Sequence, residues 1–455
     1  MSLPGYSQYK DSGVQWLGEV PAHWLIDRIK ASVESARNGV WGEEPKGDES
    51  DIACVRVADF DRTKLLVKEP VPTYRSITEK ERAGRLLSRG NLLLEKSGGG
   101  DLQPVGQVVM YQLEVPAVCS NFVAKVMLKQ GMVSGFWNYV HSAAYSVGVN
   151  LGSINQTSGI QNLDQDRYFN ERAPYPPAVE QTDIAAFLDR ETAKIDALIA
   201  EQEKLLTLLA EKRQATISHA VTKGLNPDAP MKDSGVAWLG EVPAHWEVVP
   251  LKRLLSNVKA GPFGSALTKE MYVGAGYRVY GQEQVIPADF SVGDYYIDEG
   301  KFAELQQYAV KPGDILISCV GTFGKIAIVP EGIEPGVINP RLIRLRVLPR
   351  LAARYLEAVL RSSVVFEQFS MVSRGGTLDV INIGTLSAVT LAVPPPWEQE
   401  AILKFLDVET TKLDALKVEA ECAIDLLKER RSALISAAVT GKIDVRNLIP
   451  EPEPA

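Results

Sequence analysis

The chain has 455 residues, more than one ordinary hydrophobic core supports, and the usual span of roughly 100–200 residues per domain divides it into two to four units. A hydrophobic share of 45% with 23% charged residues excludes a disordered or fibrous chain; no apolar run approaches the roughly 20 residues that span a bilayer, and Met1–Lys10 lacks a basic-then-apolar leader, so a cytoplasmic chain without a membrane partner is expected. The formal net charge of −8 excludes a uniformly basic chain, but residues 25–175 and 247–393 are each roughly neutral, which leaves room for a local basic face in both.

Residues 1–24 are the first element. They contain KDSGVQWLGEVPAHW (Lys10–Trp24), which returns as KDSGVAWLGEVPAHW (Lys232–Trp246) with a single difference, Gln15 against Ala237. Such a match is an internal repeat and marks both copies as one frame. For Trp16, Trp24, Trp238 and Trp246, a core or partner-docking role therefore fits better than base stacking, and His23 and His245 fit buried hydrogen-bonding groups better than metal ligands. The four cysteines, Cys54, Cys119, Cys319 and Cys422, are scattered without C-x-x-C spacing, so neither a zinc site nor a disulfide framework is expected.

Residues 25–175 form a first block of short apolar runs punctuated by Gly and Pro, such as Asn91–Leu94 and Gln107–Tyr111, which predicts an α/β or mainly β domain. Residues 176–224 predict one long helix: Pro176 and Pro177 suit its start, Glu180 and Asp183 lie in the first turns, and no Gly or Pro interrupts before Gly224. Residues 225–246 are a linker with the second copy of the repeated segment, and 247–393 a second block, with runs such as Asp314–Ser318 and Ile326–Pro330 and a helical stretch at Leu351–Ser362. Over most of their length the two blocks do not align. Residues 394–443 repeat the long helix and 444–455 are a tail.

The helices share an apolar stripe, Leu188, Ile195, Leu198, Leu205 and Leu209 answering Leu406, Leu413, Leu416, Ala423 and Leu427, whose steps of three, four and seven predict a coiled coil. Glu191 and Glu409, and Lys212 and Arg430, lie on or near that stripe. Parallel in-register packing would set like charges together, so an antiparallel pair is expected. Glu180, Gln181, Glu398 and Gln399 most simply serve capping and local packing, with partner contact as the second reading.

On these residues the chain resembles the specificity subunits of Type I restriction-modification systems. The resemblance is carried by W-L-G-E-V-P-A-H-W, by P-P-x-x-E-Q-x-x-I-x-x-F-L-D at the start of each long helix, by PGDILISCVGTFGKIAIV (Pro312–Val329), and by TSGIQNLDQDRYF (Thr157–Phe169). Most specific is the duplicated frame around two dissimilar inserts. The resemblance implies two α/β (α+β) target-recognition domains, pseudo-two-fold related and separated by a long antiparallel two-helix coiled coil. It further implies a non-catalytic chain that reads a bipartite double-stranded DNA site and partners two methyltransferase subunits and restriction/translocase subunits, with S-adenosylmethionine, ATP and Mg on those partners.

DNA reading needs loops carrying donors and acceptors, with cations for the phosphates. In the first block the candidates are Asn38 and Trp41; Lys96, Ser97 and Gln103; and the amide-rich Gln156, Thr157, Gln161 and Asn162. In the second they are Lys259, Phe263 and Ser265; Thr322 and Lys325; and Arg374, Thr377 and Asn382, with Lys259, Lys325 and Arg374 as expected phosphate partners. The same Gly, Asn and Ser also suit plain turns. No Gly-rich cofactor loop with a catalytic tetrapeptide appears, and GTFGK (Gly321–Lys325) lacks phosphate-loop spacing. The rival readings are a coiled-coil scaffold that binds proteins without DNA, and an enzyme of another class; neither accounts for a duplicated frame around divergent inserts.

Overall fold

In the computed structural model the described residues are 4–100, 102–157, 159–319, 325–365, 368, 382–446 and 448. The chain divides into two compact units, Met1–Glu203 with Cys422–Ala455, and Lys204–Glu421. Each unit holds one copy of the repeated segment, one block, and a part of each long helix, Ala178–Lys223 and Pro396–Val439.

In the first unit the repeated segment is a hairpin, Tyr9–Asp11 against Glu19–Pro21, and the block that follows is closed at its base by Leu25–Arg28 pairing antiparallel with Arg172–Tyr175. Inside the block a six-stranded sheet runs in the order Val33–Asn38, Val123–Leu128, Leu92–Glu95, Val108–Met110, Leu66–Val67, Phe60–Asp61. Leu92, Leu93 and Leu94 are all buried because both faces of this sheet are covered. Side chains alternate across a strand, so Leu92 and Leu94 join Phe136, Trp137 and Val140 of helix Ser134–Ser146, while Leu93 joins Ala53, Val55 and Ala117 of a smaller sheet in which Ala117–Cys119 and Asp51–Val55 run parallel.

The second unit repeats this order. A hairpin, Met231–Asp233 with Glu241–Pro243, precedes a block closed by Glu247–Pro250 against Thr390–Val393. Its main sheet runs Leu255–Ala260, Leu342–Val347, Ile315–Ser318, Ile326–Ile328, matching the first four strands of the other unit. Ile315 and Ile317 face helix Ala353–Leu360, Leu316 faces the opposite core with Tyr280 and Ile338, and Tyr277–Tyr280 runs parallel to Gly336–Ile338. Two blocks that do not align as sequences thus share a strand order.

Within each unit the two long helices pack antiparallel. In the first, Ile184 and Leu188 share a core with Ile435 and Ala438, and farther along Arg431 Nε donates to Asp196 Oδ1 at 2.9 Å. In the second, Ile217 and Val221 share a core with Ile402 and Leu406, and Arg213 Nε donates to Asp414 Oδ1 at 3.3 Å. The antiparallel expectation holds in each unit, but other charges carry it: Glu191 and Glu409 bond along their own helices to Lys194 and Lys412. The stripe is corrected as well. Leu198, Leu205 and Leu416 are exposed, Ala423 and Leu427 half-buried, and the buried positions run Leu188, Thr192, Ile195, Ile199. An apolar count passes over Thr192, which is buried because its hydroxyl donates to Leu188 O at 2.7 Å, and so loses the 3.6-residue register.

The joint between repeated segment and helix is a buried carboxylate. Glu180 accepts from Trp24 Nε1 at 2.9 Å and Tyr6 Oη at 3.2 Å and pairs with His23 Nε2 at 2.6 Å; Glu398 accepts from Trp246 Nε1 at 2.9 Å and pairs with His245 Nε2 at 2.8 Å. The adjoining glutamines tie in the block. Gln181 Oε1 accepts from Val133 N at 3.1 Å, and Gln399 Oε1 accepts from Ala352 N at 2.8 Å, these two residues being the N-caps of the helices on the main sheets. Trp24, Trp246, Glu180, Gln181, Glu398 and Gln399 are buried within their own units; Trp16 and Trp238 are half-buried. His23 and His245 hydrogen-bond as expected but keep 43% and 47% of their side chains exposed, so they are not buried groups.

Removing a buried acceptor leaves its donors unpaired at a cost of about 1–3 kcal/mol per group. Glu180→Ala, which orphans Trp24 Nε1 and Tyr6 Oη, is expected to destabilise the first unit by about 2–4 kcal/mol, read as a lowered midpoint in chemical denaturation followed by Trp fluorescence. A second expectation concerns His141, fully buried with Nδ1 2.8 Å from Tyr168 Oη; burial pushes its pKa down to about 4. The ordinary value in the unfolded chain is about 6.5. The fold binds the neutral ring, so the stability it contributes is complete above pH of about 6.5 and is lost as pH falls toward about 4, by roughly 3 kcal/mol. His141→Asn should flatten that part of the stability–pH curve.

Candidate nucleic-acid interface

In the first unit, three candidate loops distant in sequence meet on one side of the block. Ser97 pairs with Asn162 and Gly98 with Gln161, joining the Lys96 loop to the hairpin of Ile154–Thr157 and Ile160–Leu163, and Lys96 Nζ donates to Asn38 Oδ1 at 2.8 Å. Ser97 Oγ donates to Asn162 Oδ1 at 2.6 Å. Gln156 is exposed, whereas Gln161 is buried with Oε1 accepting from Val105 N at 3.1 Å, an internal brace for the loop. The Thr157 side chain lies outside the described residues. Trp41 lies under the Arg75 guanidinium, 4.5 Å from the ring centre.

Two clefts flank this cluster. One, of about 550 Å³, is lined by Arg37, Asn38, Arg85 and Lys96 on one side and Asp164 and Asp166 on the other. The second, of about 1030 Å³, holds Arg62, whose Nη2 donates to both carboxylate oxygens of buried Glu95 at 3.2 Å, with Lys68 and Gln103 on its rim. The Gln103 amide, turned with its oxygen toward Arg62, accepts from Nε at 3.0 Å. Burial pushes the Glu95 carboxyl above its ordinary range, and Arg62 offsets part of that. Arg37, Arg62, Arg75 and Arg85 escaped a reading built on Gly-rich loops because they sit on strands or turns without that signature.

In the second unit Lys259 sits on the edge strand with Nζ 5.4 Å from the Tyr308 ring, and Phe263, Ser265 and Lys325 are exposed, Phe263 at 75%. Asn382 is exposed but serves as a helix N-cap, Oδ1 accepting from Thr385 N at 2.9 Å. Thr322, Arg374 and Thr377 lie outside the described residues. Among those described, no group of three or more His, Cys, Asp or Glu is placed to hold a metal ion, and no helix is long and apolar enough to cross a membrane.

The loops of both units leave their sheets through the same close crossing. Gly39 N–H donates to Val123 O at 2.9 Å and Gly261 N–H to Leu342 O at 2.9 Å. A Cβ at Gly39 would lie 2.0 Å from Cys119 O, and one at Gly261 1.8 Å from Asn339 O. Only glycine fits where two backbones touch. Gly39→Ala and Gly261→Ala should therefore each displace the loop and destabilise its own unit by more than about 3 kcal/mol, seen as loss of one unfolding transition's midpoint with the other unit's unchanged.

Residues 245–421 match the family model described as the Type I restriction modification DNA specificity domain. The Type I restriction enzyme MjaVIII specificity subunit of Methanocaldococcus jannaschii is 24% identical over 66% of this chain and 68% of that protein. A putative MjaX specificity subunit of the same organism is 24% identical over 94% and 96%. A solved structure concerned with complex assembly and conformational transition of the type I R-M system contains a chain of similar fold, with a TM-score of 0.64 and 17% identity over 92% of this chain and 98% of that one. Duplicated frame, shared strand order and matches along nearly the whole length agree: the chain is similar, from end to end, to Type I restriction-modification specificity subunits.

Proposed function

We propose that each unit reads one half of a bipartite double-stranded DNA site, and that the chain positions two methyltransferase subunits for adenine methylation there, with cleavage and translocation left to restriction subunits. The observation that carries this reading is the pairing of one strand order with two different sets of exposed or half-buried side chains. A common scaffold supports a common way of meeting the duplex; amides, Lys96 and Trp41 in one unit against Lys259, Phe263 and Lys325 in the other support two different half-sites. Phosphate contacts would position each unit and the loop side chains would read base edges. S-adenosylmethionine, ATP and Mg belong on the partner subunits in this reading, and the chain itself performs no chemistry in the cytoplasm where the DNA lies. For partner docking, Trp16 and Trp238 are the accessible members of the repeated segment, while Trp24, Trp246, Glu180, Gln181, Glu398 and Gln399 would hold that surface in place from beneath.

The test is base-modification mapping of genomic DNA from cells expressing the cognate methyltransferase subunit, with and without this chain. Adenine methylation at one split, asymmetric motif that disappears without the chain is expected. Unchanged methylation, or an active methyltransferase with no split motif, would hand the chain to the protein-scaffold reading.

A further inference from the structure

Strand order and pairing bring an exposed position of each block into correspondence, one that the shared scaffold holds alike and the sequence fills differently. In the first unit the turn after Cys119 closes with Val123 N–H donating to Ser120 O at 3.0 Å, and in the second Leu342 N–H donates to Asn339 O at 3.2 Å. The residue before each closing position is Phe122 in one unit and Arg341 in the other. Its carbonyl is anchored equivalently, accepting from Lys96 N at 2.8 Å for Phe122 and from Cys319 N at 2.9 Å for Arg341. The glycine crossing braces the same turn from beneath, since Gly39 abuts Cys119 and Ser120, and Gly261 abuts Asn339 and Pro340. The backbone at this position is fixed on three sides, while the side chain is exposed in both units.

Neither side chain has a structural task that explains it. Phe122 is 51% exposed, a large apolar ring beside Lys96 and Ser97, whose backbone amides both donate to its carbonyl. Arg341 is exposed and has no carboxylate within ion-pair distance among the described residues; its one side-chain hydrogen bond there is a 3.5 Å contact from Nη1 to Gln282 Oε1, near the limit of such a bond. An exposed ring and an unpaired guanidinium, each on an immobilised backbone, have the pre-organisation that base reading requires. We propose, resting on the recognition role above, that Phe122 and Arg341 are specificity-determining residues of the two half-sites. Phe122 packs on the C5 methyl of a thymine in the major groove; Arg341 forks onto O6 and N7 of a guanine.

The test uses the chain in complex with its methyltransferase subunit, after motif mapping has given the wild-type site. Arg341→Ala is expected to make one G·C position of one half-site degenerate, and Phe122→Ala one T·A position of the other, each leaving the opposite half as in wild type. On synthetic duplexes, 7-deazaguanine at that guanine should weaken wild-type binding about tenfold and leave Arg341→Ala binding nearly unchanged. Uracil for that thymine, which removes only the methyl, should weaken wild-type binding about fourfold and have no effect on Phe122→Ala. Both side chains are exposed, so thermal melting should match wild type. A variant that keeps the wild-type motif, at full or uniformly lowered methylation, overturns the assignment for its residue and makes it at most a phosphate or scaffold group. Both variants relaxing the same half overturn it for the pair. A wild-type chain that yields no split motif overturns the recognition role itself, a result distinct from either of these.

Discussion

The buried carboxylate at the start of each long helix is the interaction on which the remaining arrangement depends. Glu180 and Glu398 are charged groups taken almost wholly out of water, which is unfavourable unless several donors replace the lost solvent. Each receives an indole N–H and an imidazole from the repeated hairpin, so helix, hairpin and block can be assembled in only one register. The glutamine that follows extends this constraint to the adjoining block by accepting from the N-cap of its sheet-packing helix. Two consecutive side chains therefore fix three elements, which is the physical reason the dipeptide recurs at both helix starts.

The far end of each helix closes the same joint from the other side. Gly441, at φ 73°, comes against Pro21 and Trp24, and Gly224, at φ 75°, against Trp246 and Glu398. Lys442 Nζ donates to Glu19 O at 2.7 Å, and Lys223 Nζ makes the corresponding bond to Glu241 O. Within each unit the hairpin thus receives the beginning of one long helix and the end of the other, and antiparallel packing is the only packing that presents both to it. The first unit adds Tyr6 and Arg446, whose guanidinium lies 4.8 Å from the Tyr6 ring; Asp228 stands at the matching position of the second repeat.

What the sequence made legible was the part built from long-range identity or regular period: the repeated segment, both long helices and their antiparallel sense. The convergence of the Asn38, Lys96 and Gln156 loops was within reach, because each is Gly-rich and polar, although only strand pairing brings them together. The common fold of the two blocks was not legible. A buried strand needs alternating apolar volume rather than particular residues, so Leu92–Glu95 and Ile315–Ser318 serve alike without aligning, and only points of backbone contact, such as Gly39 and Gly261, keep the same residue. Gln161 and Asn382 show the same limit from another side: both read as loop amides, and only the fold gives one the bracing of a loop and the other the capping of a helix.

Each block begins and ends at one place: Leu25 stands opposite Tyr175, and Glu247 opposite Val393, as the outermost pairs of two short antiparallel ladders. A segment whose ends lie side by side can be cut out and replaced by another without lengthening or turning the chain on either side of it. Because the hairpin before each block and the long helix after it are alike in both copies, one block could stand in the place of the other while the frame that holds it keeps its form.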